Sequence, residues 1–146
     1  MLPARMSSIL EVQAAIIEEF EPFADWEARY KHIIALGRAM PPLPEQERIE
    51  ANRVRGCSSQ VWLVPRLDGQ RLVFGADSDA LITKGLVALL MQVYSGRTPD
   101  EILGADPIFI EELGLTQHLS PNRANGLTSM VARIKELARE QQGKIL

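Results

Sequence analysis

One cysteine, four lysines, two histidines and an aromatic content of 5% are what this chain of 146 residues has least of, and each scarcity removes a class of function. A lone Cys57 excludes an intrachain disulfide and any multi-thiolate zinc or iron–sulfur site built by this chain alone. His32 and His118 do not make up the missing ligands. The lysines fall in no recognisable pyridoxal phosphate context, and the glycines form neither a dinucleotide fingerprint nor a P-loop. No resident cofactor or metal is therefore expected, and a self-sufficient cofactor enzyme is not the reading. Basic residues are not in excess either: sixteen Lys and Arg face nineteen Asp and Glu, a net charge of −3, which disfavours a nucleic-acid partner. Long apolar runs are missing as well. The longest, Leu86 to Met91, has six residues, and Met1-Leu2-Pro3-Ala4-Arg5-Met6 lacks the apolar stretch of a signal peptide. No membrane span and a cytoplasmic location are the expectation.

What is present suits an ordinary globular protein: 46% hydrophobic residues, 24% charged residues and a mean hydropathy of −0.05. A chain of this length buries roughly 68–70% of its unfolded surface, and residues 1–146 are expected to form a single domain with its core over about 20–138. Charge is uneven along it. Residues 31–60, which contain Cys57, sum to +2, between acidic stretches of −4 at 1–30 and at 91–120.

Ile9, Val12, Ile16, Ile17 and Phe20 recur at helical spacing, predicting a helix over 7–20. Asp25 can cap a second, with Trp26, Tyr30, Ile33, Ile34 and Gly37 on one face, which the prolines at 41, 42 and 44 end. Three strands are predicted next: Asn52–Arg55, then Gln60–Val64 after the punctuation Gly56-Cys57-Ser58-Ser59, then Arg71–Gly75 after the hairpin signal Asp68-Gly69. Pro65 is expected to cut the middle strand short. Asp77-Ser78-Asp79 offers cap oxygens for an apolar helix over 80–94, the expected centre of the core. Thr98-Pro99-Asp100-Glu101 reads as a capping box with proline at the first helical position. A further turn or two covers 108–113. Ser120-Pro121 opens the last helix, with Leu127, Met130, Val131, Ile134, Leu137 and Ala138 inward and Gly143 just past its end. The order predicts an α+β fold, helices packed on one face of a small three-stranded antiparallel sheet.

Cys57 is the one strong nucleophile. A lone cysteine is commonly a small core residue, but Gly56 before it and Ser58-Ser59 after it place it on a turn between strands, where loops carry function on a rigid frame. Arg53 and Arg55 can favour its thiolate or simply pair at a solvated strand edge. Arg123, third residue after the cap Ser120, puts a cation where the helix dipole favours anions. Service to a bound anion or thiolate and a plain solvent-facing role both stand. Asp77 and Asp79 suit helix capping better than acid–base or metal work, Glu45, Glu47 and Glu50 form a solvated cluster, and His118 lies in a polar loop.

Arg55-Gly56-Cys57-Ser58-Ser59-Gln60-Val61-Trp62 resembles the active-site motif of the SufE family of sulfur-acceptor proteins. Asp77-Ser78-Asp79-Ala80 with Lys84-Gly85-Leu86, Tyr94-Ser95-Gly96 with Thr98-Pro99, and His118-Leu119-Ser120-Pro121-Asn122-Arg123 with Gly126-Leu127 resemble further family motifs in the same order. Trp26 and Tyr30 fall where the family has an early aromatic helix, so the resemblance covers about 20–138. It implies a SufE/IscU-like fold and makes Cys57 the acceptor that becomes a persulfide. Arg123 matches the arginine near the acceptor, and Asp79 the aspartate at the helix start beside the same loop, a loop or partner contact. The implied partners are a SufS- or CsdA-type cysteine desulfurase, to which the pyridoxal phosphate belongs, and a downstream iron–sulfur scaffold complex. A loop that shelters Cys57 in the free protein and swings out on docking is expected. An iron–sulfur scaffold, a single-thiol redox sensor and a regulatory binding module are the alternatives. The scaffold needs several thiolates, and this chain has one.

Overall fold

The computed structural model describes residues 7–145, so the opening hexapeptide Met1–Met6 lies outside the described residues. Helix α1 (Ile9–Phe20) starts with a capping box: Ser8 Oγ accepts from the Glu11 amide, and the Glu11 carboxylate accepts from the Ser8 amide. In α2 (Trp26–Ala39) the Asp25 carboxylate accepts the Ala28 amide at 2.8 Å. The inward face of α2 meets α3 (Leu81–Tyr94) almost backbone to backbone. A Cβ on Gly85 would lie 2.0 Å from the Ile33 carbonyl oxygen, and one on Gly37 would lie 2.7 Å from the Gly85 nitrogen. Only glycine fits at this crossing. Helix α3 is the centre of the core, with Leu86, Val87, Leu89, Leu90, Val93 and Tyr94 buried.

The architecture is α+β, but the sheet has two strands among the described residues, not three. β1 (Val61–Asp68) and β2 (Arg71–Ser78) pair antiparallel from Val61↔Ser78 to Asp68↔Arg71 around Gly69, whose φ is +64°. The predicted first strand is reduced to one bridge, Arg53↔Trp62. Its first residue, Asn52, ends the 3-10 turn Glu50–Asn52, and Gly56 at φ +90° turns the chain off the sheet edge before a ladder can form. β1 is longer than Pro65 suggests. Pro65 faces Phe74, whose amide donates outward to Ser95 Oγ, so this is a non-hydrogen-bonded pair in which the proline ring removes no ladder bond. The outer edge of β2 is covered where Leu72 exchanges backbone hydrogen bonds with Gly96 and Arg97.

The three residues 77–79 do not cap α3, whose N-cap position is Ala80 without a side-chain bond. Asp77 and Ser78 end β2 instead. The buried Asp77 carboxylate accepts from the Leu43 amide, the Ser78 amide and Arg48, with Lys84 Nζ at 3.3 Å. It thereby ties the proline-rich connector to β2 and α3. Three remaining helices follow the sequence more closely, α4 (Pro99–Leu103) with its Thr98/Glu101 capping box, α5 (Ile108–Glu112) and α7 (Pro121–Ile145), whereas α6 (Leu115–His118) forms where a loop was expected. Gly143 lies inside α7, not beyond it, because one exposed glycine costs only about 1 kcal/mol in a long helix. Among the described residues no helix is long and apolar enough to cross a membrane.

Candidate functional site

Cys57 lies on the loop between the Arg53 bridge and β1, and a glycine on each side of the contact decides where the thiol sits. Gly56 takes a left-handed φ of +90°, and a Cβ there would lie 2.4 Å from Ser129 Oγ. The loop therefore presses directly on α7. Gly126 of α7 lies under Cys57, and its carbonyl accepts the thiol hydrogen at an S···O distance of 3.5 Å. A Cβ on Gly126 would stand 3.6 Å from Sγ.

Beside the sulfur is a cavity of about 10 Å³, bounded by Ser58 and Ser59 of the loop, Thr83 and Leu86 of α3, and Asn122, Arg123, Gly126 and Met130 of α7. Such a volume holds roughly one small atom or one water. Apolar Leu86 and Met130 are both buried. The thiol is half-buried. Burial pushes its pKa up, and the Arg53 guanidinium, which favours the thiolate, offsets only part of that. In this arrangement the thiol keeps its proton at neutral pH. Of the two readings open for Arg53 and Arg55, the geometry shows pairing, since both reach Glu50, at 3.6 and 3.8 Å, while Arg53 also acts on the sulfur without offsetting its burial.

The structure brings Arg123 to the same cavity as Cys57. Its amide donates to Ser120 Oγ at 3.3 Å, which fixes it as the third residue of the α7 first turn. Asp79 is not on the cavity wall. Its Oδ1 accepts the Gln60 amide at 3.0 Å and its own amide donates to the Gln60 carbonyl. Ser78 Oγ donates to that carbonyl too, at 2.7 Å. Asp79 thus clamps the point where the Cys57 loop enters β1.

Glu50, Arg53 and Arg55 line a pocket of about 180 Å³ that reaches Cys57. The same three residues line a groove of about 410 Å³ closed by Arg133 and Glu136 of α7. The acidic cluster is consequently not merely solvated; Glu47 also pairs with Arg66. His118 does not lie in a loop. It ends α6, stacks on Trp26 at 4.0 Å between ring centres, and its carbonyl accepts the Tyr30 hydroxyl. His32 pairs with Glu19 and stacks on Phe23. Among the described residues no three His, Cys, Asp or Glu side chains gather as a metal-ligand set.

Two residues of the site escaped the reading of side-chain chemistry. Thr83 lies on the helix face predicted only as core, and Ser129 on the stripe next to it. Gly126 carried a signal, since a glycine inside a helical pattern marks a close approach.

The family described as Fe-S metabolism associated domain, SufE, matches residues 14–138. An uncharacterized SufE-like protein of Rhizobium etli is 46% identical over 129 residues, covering 85% of this chain and 87% of that protein. Another, of Rhizobium meliloti, is 43% identical over 135 residues, covering 89% of this chain and 94% of its own length. Among solved structures, the solution structure of a hypothetical protein from Thermus thermophilus superposes with a TM-score of 0.74 at 22% identity. It covers 90% of this chain and 96% of that one, a likeness of fold.

Proposed function

Since the chain belongs to the SufE family, which is associated with Fe–S metabolism, we propose that it accepts sulfur from a cysteine desulfurase on Cys57 and passes it on for iron–sulfur cluster assembly. The observation that carries this reading is the placement of the sole thiol. Cys57 sits on a glycine-turned loop against a cavity sized for one atom, bordered by the cation Arg123.

The step needs one thiol and no net redox change. The Cys57 thiolate attacks the terminal sulfur of the desulfurase persulfide, the new S–S bond forms as the old one breaks, and the desulfurase cysteine leaves as thiolate. Cys57 then carries the sulfane sulfur as Cys57–S–SH. Attack requires the proton to leave Cys57, and in the free protein burial holds it on. Docking that lifts the loop off Gly126 exposes the sulfur and frees the thiolate, so a sheltered resting state and an exposed working state follow from one movement. The Glu50, Arg53 and Arg55 rim and the start of α7 surround the loop and form the docking surface in this reading, with Asp79 holding the loop's root.

The test mixes the protein with a SufS-type desulfurase and cysteine without reductant, and reads intact mass for wild type and Cys57→Ser. A gain of about 32 Da, one sulfur atom, on wild type alone, with faster sulfide release once reductant is added, is the expected result. Stimulation that survives Cys57→Ala would leave a regulatory binding module instead. A lack of both transfer and stimulation would overturn the reading.

A further inference from the structure

The Cys57 loop has a second, polar side. There a pocket of about 180 Å³ bounded by Glu50, Arg53 and Arg55 reaches Cys57. The same three residues continue it into a groove of about 410 Å³ along α7, completed by Arg133 and Glu136. That volume falls in the range of roughly 300–1,000 Å³ in which small molecules bind. The charged lining is three arginines against two glutamates, one positive charge in excess. Arg53 and Arg55 both approach Glu50, at 3.6 and 3.8 Å, which is longer than a hydrogen bond. Two guanidinium groups thus share one carboxylate without spending their N–H donors on it. Such a fork matches an incoming carboxylate with two parallel hydrogen bonds. Arg53 also acts electrostatically on the Cys57 sulfur, so one end of the charged groove stands within reach of the nucleophile.

We propose that this groove binds a small amino-acid thiol bearing two carboxylates and one ammonium, the charge pattern of glutathione, and that the bound thiol takes the sulfane sulfur from Cys57. The ligand's net charge of one negative meets the one positive of the lining, with carboxylates on the arginines and the ammonium on Glu50 or Glu136. The inference goes beyond the sulfur-acceptor reading and rests on it only for the origin of the sulfur. The thiolate of the ligand attacks the terminal sulfur: Cys57–S–SH plus RS⁻ gives Cys57–S⁻ plus RS–SH. One S–S bond forms as another breaks, with no net oxidation. Arg53 stabilises the departing Cys57 thiolate, which then takes a proton from water. A neutral thiol finds no hold in the groove, so the persulfide is protected from one class of thiol and open to another.

The experiment loads the sulfur chemically. Cys57 is converted to a mixed disulfide with an aryl thiol, and hydrosulfide displaces the aryl thiolate: Cys57–S–S–Ar plus HS⁻ gives Cys57–S–SH plus ArS⁻. Loss of the persulfide is then followed by intact mass against increasing glutathione or 2-mercaptoethanol. The expected rate saturates with glutathione, yielding glutathione persulfide, and stays linear with 2-mercaptoethanol. Arg133 lines the groove but not the pocket at Cys57. Arg133→Gln should therefore lower the ratio of glutathione to 2-mercaptoethanol rates about tenfold, the scale of one hydrogen bond between charged groups. Added salt should lower the same ratio in wild type. A linear glutathione dependence, with a ratio that neither Arg133→Gln nor salt moves and unchanged circular dichroism, would overturn the proposal. Linear dependence combined with slower desulfurase loading of Arg133→Gln would overturn it too, and give the groove to the docked partner. Saturation on a chemically made persulfide that no desulfurase can load would retain this site and reject the acceptor function instead.

Discussion

Cys57 and Gly126 are in direct contact: the thiol donates to the Gly126 carbonyl at 3.5 Å, and the space a Gly126 side chain would use lies 3.6 Å from the sulfur. A loop residue and a helix residue 69 positions apart thus define one another's surroundings. The consequence is that stability and chemistry pull in opposite directions at position 126.

Gly126→Ala is expected to hold or raise the stability of the fold, by up to about 1 kcal/mol, because alanine outranks glycine inside a helix and its Cβ meets Sγ at an ordinary contact distance. The same methyl narrows the cavity, so sulfur acceptance on Cys57 should fall roughly tenfold or more as the second sulfur overpacks the site. Urea unfolding and intact-mass loading measure the two effects separately. A variant that is both less stable and fully active would contradict the geometry.

Burial raises the Cys57 pKa above its ordinary value, with Arg53 opposing it in part. The native state therefore holds this proton more tightly than the unfolded chain. Its contribution to stability is complete below the unfolded pKa and is lost as pH rises through the native one. Alkylation of native Cys57 should reach half its maximal rate above pH 9.0, and the midpoint should drop in denaturant. Cys57→Ala should flatten the alkaline decline in stability, which urea melts across this range would show.

Gly56 combines φ +90° with a close approach to Ser129. Gly56→Ala is expected to cost about 1–3 kcal/mol for the left-handed backbone alone. The contact with Ser129 Oγ adds to that. Pairing it with Ser129→Ala should recover only the contact part, leaving the backbone cost in place. Full recovery in the double variant would mean the conformation at residue 56 carries no strain for alanine.

The Asp77 carboxylate is buried, which by itself would raise its pKa, but the Leu43 and Ser78 amides and Lys84 together hold it below the usual carboxylate value. A depressed native pKa contributes stability above the unfolded value and loses it as pH falls through the native one. Asp77→Asn should cost about 3 kcal/mol at pH 7, because Arg48 and Lys84 lose the charge they share. Below pH 3.8 the gap between variant and wild type should close progressively. Paired unfolding curves at pH 7 and pH 3 decide it.

The local signals were legible wherever a short stretch settles its own structure. Ser120 before Pro121 starts α7, Thr98 and Glu101 close a capping box, and Gly69 turns the hairpin, each through bonds within three or four residues. Asp77 and Asp79 misled for the same reason. In the chain they resemble cap residues, whereas in space Asp77 has the Leu43 amide and Arg48, and Asp79 has Gln60, as competing partners.

What the sequence alone determined is the identity of the one thiol, the glycine that turns its loop, the cation that starts the last helix, and the ordered motifs that carry the family. Only the tertiary structure decided the surroundings of that thiol. Arg53 and Arg55 stand next to Cys57 along the chain, which left a favoured thiolate and a plain strand-edge pair equally open. The packing of the loop on Gly126, with Thr83 and Leu86 from α3 at its side, desolvates the sulfur and raises its pKa above the ordinary thiol value. Desolvation depends on every atom that excludes water from a point, and those atoms come from segments far apart in the chain.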